Sequence, residues 1–170
     1  MIRTAGITDE SIVDGEGLRL VVFAQGCSHD CPGCHNPASH SFQGGQLTDV
    51  EKILEKIRRN PLLDGITYSG GDPFFQTEAF LSLSRAIRKE FFSRDDFTIM
   101  AYTGFTFEEL MSKEELYLPL LREIDILVDG RFILEEKSLN LPFIGSRNQR
   151  ILDVRRSLKE NRPLLYEFMT

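Results

Sequence analysis

Hydrophobic positions cluster into short runs separated by glycine-containing loops. Leu18 to Ala24 (Leu-Arg-Leu-Val-Val-Phe-Ala) is the first dense apolar run. A run this short, rich in β-branched residues and ended by a glycine, reads as a buried strand. Similar runs recur at Gly65–Ser69, Phe97–Thr103, Ile124–Val128 and Arg150–Val154. Between them the period changes to that of a helix. Val50, Ile53, Leu54 and Ile57 share one helical face, as do Phe80, Leu83, Ile87 and Phe91. Thr48 followed by Glu51 predicts a capping box for the first helix, which ends near Asn60-Pro61. Residues 106–122 are helical in pattern, with an interruption expected near Pro119. Residues 1–17 alternate only weakly and close in Asp14-Gly15-Glu16-Gly17, which is turn chemistry.

Strands alternating with helices predict right-handed βαβ units, hence an α/β fold with a mostly parallel sheet. The 170 residues suit a single domain, 1–170, with a sizeable core. They are too few for a full eight-stranded barrel, which takes about 200 residues or more. Four predicted strands end in polar or sulfur-bearing loops: Cys27–Cys34, Ser69–Asp72, Tyr102–Gly104 and Asp129–Gly130. In a parallel arrangement all four loops meet on one rim, the edge where such folds build their sites.

Charge narrows the function classes. A net charge of −6 argues against a broad nucleic-acid footprint. No apolar stretch is long enough to span a bilayer, and the N-terminus lacks the apolar run of a signal peptide. Free cysteines without an export signal predict a cytoplasmic, reducing setting.

The chemistry concentrates in Gly26-Cys27-Ser28-His29-Asp30-Cys31-Pro32-Gly33-Cys34-His35-Asn36-Pro37. All three cysteines of the chain lie there, with three and then two residues between neighbours. Two metal readings are open. One is a structural zinc site on Cys27, Cys31 and Cys34 completed by His29, His35 or His40, which would make the chain a zinc-stabilised binding module. The other is an iron–sulfur cubane, which normally takes four protein thiolates. With three, one iron is left open to another ligand. A three-thiolate loop on a rim with three more polar loops favours a reactive site.

These motifs, in this order, resemble the radical S-adenosylmethionine (SAM) superfamily, and within it the activating proteins of glycyl-radical enzymes, nearest to those of anaerobic ribonucleoside-triphosphate reductases. The likeness runs from about Asp14 to Val154. It rests on the Cys-x3-Cys-x2-Cys loop, Asp14 to Arg19, Ser69-Gly70-Gly71-Asp72-Pro73, Tyr102-Thr103-Gly104, Leu127 to Phe132 and Gly145 to Arg150. The resemblance implies a partial, laterally open (β/α) barrel of radical SAM type. It implies a 4Fe–4S cluster on Cys27, Cys31 and Cys34, with SAM chelating the open iron. It also implies an activase, an enzyme generating a glycyl radical on a protein partner. That partner is the large subunit of anaerobic ribonucleotide reductase or, alternatively, an enzyme of pyruvate formate-lyase type. An electron donor such as flavodoxin is implied too.

For SAM, the resemblance points to Ser69, Gly70, Gly71 and Asp72, with Asp72 as an acceptor for the methionine ammonium. Tyr102 and Thr103 are placed toward its ribose or carboxylate, and Asp129 toward the ribose or a cation. The residue before the third cysteine is usually aromatic and lies near the adenine; here it is Gly33. Gly145 to Arg150 is a candidate for carboxylate recognition or partner docking.

Overall fold

A computed structural model describes residues 1–168; Met169 and Thr170, the end of the expected 1–170 domain, lie outside the described residues. Seven strands form one sheet: β1 (Ile2–Ser11), β2 (Arg19–Ala24), β3 (Gln46–Thr48), β4 (Gly65–Gly70), β5 (Thr98–Tyr102), β6 (Ile126–Asp129) and β7 (Arg150–Asp153). Their order is β3-β1-β2-β4-β5-β6-β7. The central four, β2, β4, β5 and β6, are parallel, while β1, β3 and β7 join antiparallel. The fold is therefore mixed α/β with a parallel centre. The helices are α1 (Val50–Arg59), α2 (Thr77–Glu90), α3 (Phe107–Met111), α4 (Glu114–Leu121) and α5 (Val154–Glu160).

Alternation along the strands divides the sheet into two faces. Leu20 and Val22, Ile66 and Tyr68, Ile99 and Ala101, and Leu127 pack with Ile53, Phe80, Leu83, Ile87 and Leu120 in the main core. A smaller cluster of Met100, Ile126 and Val128 lies apart from that core, with Tyr102, Phe143, Ile144 and Tyr166 against it. Arg19 is fully buried and is a staple for this second face. Its guanidinium donates to Thr67 Oγ1 on β4 (2.7 Å), Thr98 Oγ1 on β5 (2.9 Å) and the carbonyls of Glu16, Ile66 and Thr98. The Thr67 hydroxyl in turn donates to the Asp14 carbonyl (2.7 Å), so residues 14–16 are strapped over the sheet.

Several local expectations are corrected. Residues 2–11 form a long strand because two antiparallel neighbours, β2 and β3, take its hydrogen bonds. Thr48 ends β3, and its hydroxyl pairs with that of Thr4 (2.9 Å) instead of capping α1. Asp49 is the N-cap, without a side-chain bond. The break within 106–122 falls at Ser112-Lys113, and Pro119 lies inside α4. The capping box occurs on α3, where Thr106 and Glu109 satisfy each other's backbone N–H groups. α5 follows β7 directly, with Asp153 accepting from Arg156 N–H.

Candidate metal centre

The cysteine loop leaves the C-terminal end of β2. Two backbone bonds close it: Gly26 N–H to Ser39 O (2.7 Å) and Cys27 N–H to His40 O (3.0 Å). Within it, Cys34 N–H reaches Cys31 O (3.1 Å), with Pro32 second and Gly33 third in the turn. Gly33 has φ +76, so the pair meets the demands of a type II turn. The turn brings Cys31 and Cys34 back toward each other.

The neighbouring rim loop is fitted against this one. Gly71 N–H donates to Ala24 O (2.7 Å) and Asp72 N–H to Gly26 O (3.0 Å). Gly70 has φ +89 and a Cβ there would strike the Ala24 backbone, so the approach needs glycine. At the third loop, a Cβ on Gly104 would overlap the His29 ring.

Cys27, Cys31 and Cys34 are free thiols, all half-buried, and all three line one cavity of about 610 Å³. Ser69, Gly70, Gly71, Tyr102 and Thr103 line it too, so eight of the expected site residues meet there. Among the described residues, no three His, Cys, Asp or Glu side chains stand close enough to surround a single metal ion. The thiols are distributed around a space instead of gathered on a point. Burial pushes the Cys27 thiol up to about 11, with the charges of Asp72 and the other thiols adding to it. Cys31 is raised as well, mainly by burial. At neutral pH these two are thiols in the metal-free chain, and metal binding must displace their protons. Burial also raises the Tyr102 phenol.

Asp72 is not in the cavity wall. It is completely buried. Its Oδ1 accepts from Phe74 N–H (2.9 Å), capping the 3₁₀ turn Pro73–Phe75. Its Oδ2 accepts from His29 Nε2 (2.8 Å), Thr103 Oγ1 (2.9 Å) and Gly104 N–H (2.9 Å). The expected acceptor for an ammonium ion is thus already engaged: the carboxylate ties three rim loops together. Phe75 and Phe105 enclose the His29 ring at centroid distances of 5.3 and 4.6 Å.

Asp129 is likewise held by its own chain. Its carboxylate is buried, pairs with Arg150 through both oxygens and accepts from Phe107 N–H (2.8 Å) at the start of α3. It braces β6, β7 and α3 and offers nothing to the cavity. Gly33 also lies outside the wall. The space beside it, where an aromatic side chain would stand, holds Leu134 and Phe132. In the Gly145–Arg150 segment, Gln149 accepts from Gly145 N–H (2.9 Å) and donates to Gly130 O (3.0 Å), so its amide is a loop tie.

Asp14 reads in the sequence as turn chemistry and as the start of a family segment, without a site role, yet among the described residues it is the one carboxylate in the cavity wall. Its Oδ2 accepts from the Ser11 hydroxyl (2.6 Å). The strap over the sheet carries it there, and no local spacing in the sequence signals that path. The donor set and the space fit an iron–sulfur cluster: three thiols, no fourth cysteine, and a cavity with room beyond the sulfurs.

Comparison with known proteins agrees. Residues 13–152 match the model of the 4Fe-4S single cluster domain family. The anaerobic ribonucleoside-triphosphate reductase-activating protein of Haemophilus influenzae is 36% identical over 146 residues, covering 81% of this chain and 89% of that protein. The protein of the same name from Escherichia coli K12 is 36% identical, covering 81% and 90%, and that of Enterobacteria phage T4 is 31% identical, covering 82% and 86%. Among solved structures, QueE from Escherichia coli aligns with a TM-score of 0.46 at 16% identity, over 62% of this chain and 53% of that one. Matched by the family model over residues 13–152 and by the three activating proteins over 81–82% of its length, the chain belongs to the family of anaerobic ribonucleoside-triphosphate reductase-activating proteins, within the 4Fe-4S single cluster domains.

Proposed function

We propose that the chain is a radical SAM activase that generates a glycyl radical on the large subunit of an anaerobic ribonucleotide reductase. The observation that carries this reading is the single cavity into which all three cysteines and the glycine-rich rim loops open. Cys27, Cys31 and Cys34 would hold a 4Fe–4S cluster. Held there and reduced, such a cluster would supply one electron for reductive cleavage of the C5′–S bond of SAM, yielding methionine and a 5′-deoxyadenosyl radical. That radical takes the Cα hydrogen of a partner glycine, giving 5′-deoxyadenosine and a glycyl radical. The electron comes from a reduced donor such as flavodoxin, and the setting is the cytoplasm.

The chain's own residues bind, orient and exclude water. Ser69 and the backbone of Gly70 and Gly71 offer polar contacts to the methionine end of SAM. Asp14 replaces Asp72 as the carboxylate able to accept from its ammonium or a ribose hydroxyl, and Tyr102 adds a hydroxyl nearby, whereas the Thr103 hydroxyl is given to Asp72. A carbon radical attacks whatever C–H bond is near, so the reaction needs a sealed site. The cavity is bordered by Val13 (72% exposed) and Leu139 (85% exposed), with Phe143 and Ile144. An apolar border of this kind invites a partner surface to close it. The sheet then serves as a laterally open partial barrel whose missing side is the partner.

The test is anaerobic reconstitution with iron and sulfide, reduction, and addition of SAM with the reductase subunit. A glycyl-radical signal on the reductase, lost when its glycine is replaced by alanine, is the expected result. A colourless zinc protein, or SAM left intact under strong reduction, would overturn the reading.

A further inference from the structure

His40 touches both ends of the cysteine series. Its backbone carbonyl accepts from Cys27 N–H (3.0 Å), and its ring Nε2 lies 3.3 Å from Cys34 Sγ. The same sulfur accepts from Asn36 N–H (3.4 Å). We infer that His40 is a positioning residue for the cluster, fixing Cys34 relative to Cys27 and donating an N–H···S hydrogen bond to the Cys34 thiolate. This rests on the cluster reading given above. A ligating thiolate has no proton, so it can only accept; the ring must carry its proton on Nε2. A nitrogen that holds a proton for a neighbouring sulfur has no lone pair for a metal. The Nε2 atom, the one beside the sulfur, is thereby unavailable as a fourth ligand.

The bond also has an electronic consequence. Hydrogen bonds to cluster sulfurs withdraw charge from them and favour the reduced form, raising the reduction potential. Of the two bonds to Cys34 Sγ, the one from Asn36 is backbone and present whatever the side chain. The one from His40 is set by a side chain and is open to substitution.

The experiment compares wild type, His40→Leu and His40→Gln as reconstituted holoproteins. The midpoint potential is read by electron paramagnetic resonance during an anaerobic redox titration, together with iron per chain. His40→Leu is expected to hold iron but to shift to a more negative midpoint, so that at a set potential the reduced fraction falls several-fold. His40→Gln, which can place an N–H near the Nε2 position, is expected to restore the wild-type midpoint. Identical midpoints in all three proteins overturn the inference, as does nitrogen hyperfine coupling showing His40 bound to iron. If His40→Leu holds no iron, His40→Gln decides: a cluster at the wild-type midpoint supports the inference, and a lost cluster or shifted midpoint overturns it. Failure of the activase reading would show differently, as a cluster signal that ignores SAM while the His40 shift persists.

Discussion

Two buried carboxylates stand at corresponding places in the fold, Asp72 just after β4 and Asp129 at the end of β6. Each closes a parallel strand, and each is saturated with hydrogen bonds from its own chain. Their partners differ in kind. Asp129 faces a permanent cation, Arg150, and the start of a helix. Asp72 faces backbone N–H groups, a hydroxyl and His29, a residue of the cysteine loop itself. One carboxylate therefore holds the frame together, whereas the other couples the frame to the metal loop. Position at a strand end does not decide whether an acidic residue serves a ligand; the donors already around it do.

Substitutions test this contrast. The largest effect is expected from Asp72→Ala, which leaves Phe74 N–H, Gly104 N–H and Thr103 Oγ1 without their acceptor in a fully buried place. At roughly 1–3 kcal/mol for each stranded group, less some relaxation, a loss of about 4 kcal/mol is expected. Urea unfolding of the metal-free protein measures it, and iron per chain in the folded fraction should fall as well because His29 is released. Full iron retention would break the proposed coupling to the metal loop.

Asp129→Ala is expected to cost somewhat less, about 3 kcal/mol. Breaking a buried pair is strongly destabilising, but Arg150 is partly exposed and keeps Glu108. Here the folded fraction should retain its iron, and a parallel loss of iron would erase the distinction between the two sites. The smallest effect belongs to Glu108→Gln, on the exposed side of the same arginine, at about 0.5 kcal/mol or less. Its hydrogen bond with Arg150 holds the Glu108 carboxyl below the usual range. A lowered carboxyl stabilises the fold above its unfolded pKa, and that contribution is lost as pH falls through the folded value. The wild-type advantage over Glu108→Gln should accordingly be present at neutral pH and vanish in acid; an advantage that grew in acid would reverse the sign.

Much of this architecture was legible. The four parallel strands could be read because each is a short apolar run stopped by a glycine loop. The cysteine loop could be read because its ligands are neighbours in the chain. β1 was not, since Thr4, Gly6, Thr8, Asp9 and Glu10 give it little apolar alternation. It becomes a strand through partners at residues 19–24 and 46–48. The roles of Asp72 and Asp129 were likewise hidden. His29 is 43 residues from Asp72, and Arg150 is 21 from Asp129, so the donors that occupy them appear only in three dimensions. The place of Asp14 in the cavity wall escaped for the opposite reason: its segment carries the resemblance but reads locally as an ordinary turn until Arg19 and Thr67 pin it across the sheet.

Arg19 has a consequence for motion. Its side chain joins β2, β4 and β5 at their N-terminal ends, while the cavity lies at the C-terminal ends of the same strands. Rigidity and reactivity are thus placed at opposite poles of the sheet. Amide protons near Arg19 are expected to exchange only with global unfolding, and those of the rim loops through smaller, local openings, which hydrogen exchange would measure. The strands that hold the loops are thus anchored at one pole by a guanidinium, and the loops that meet a partner are tied at the other through Asp72.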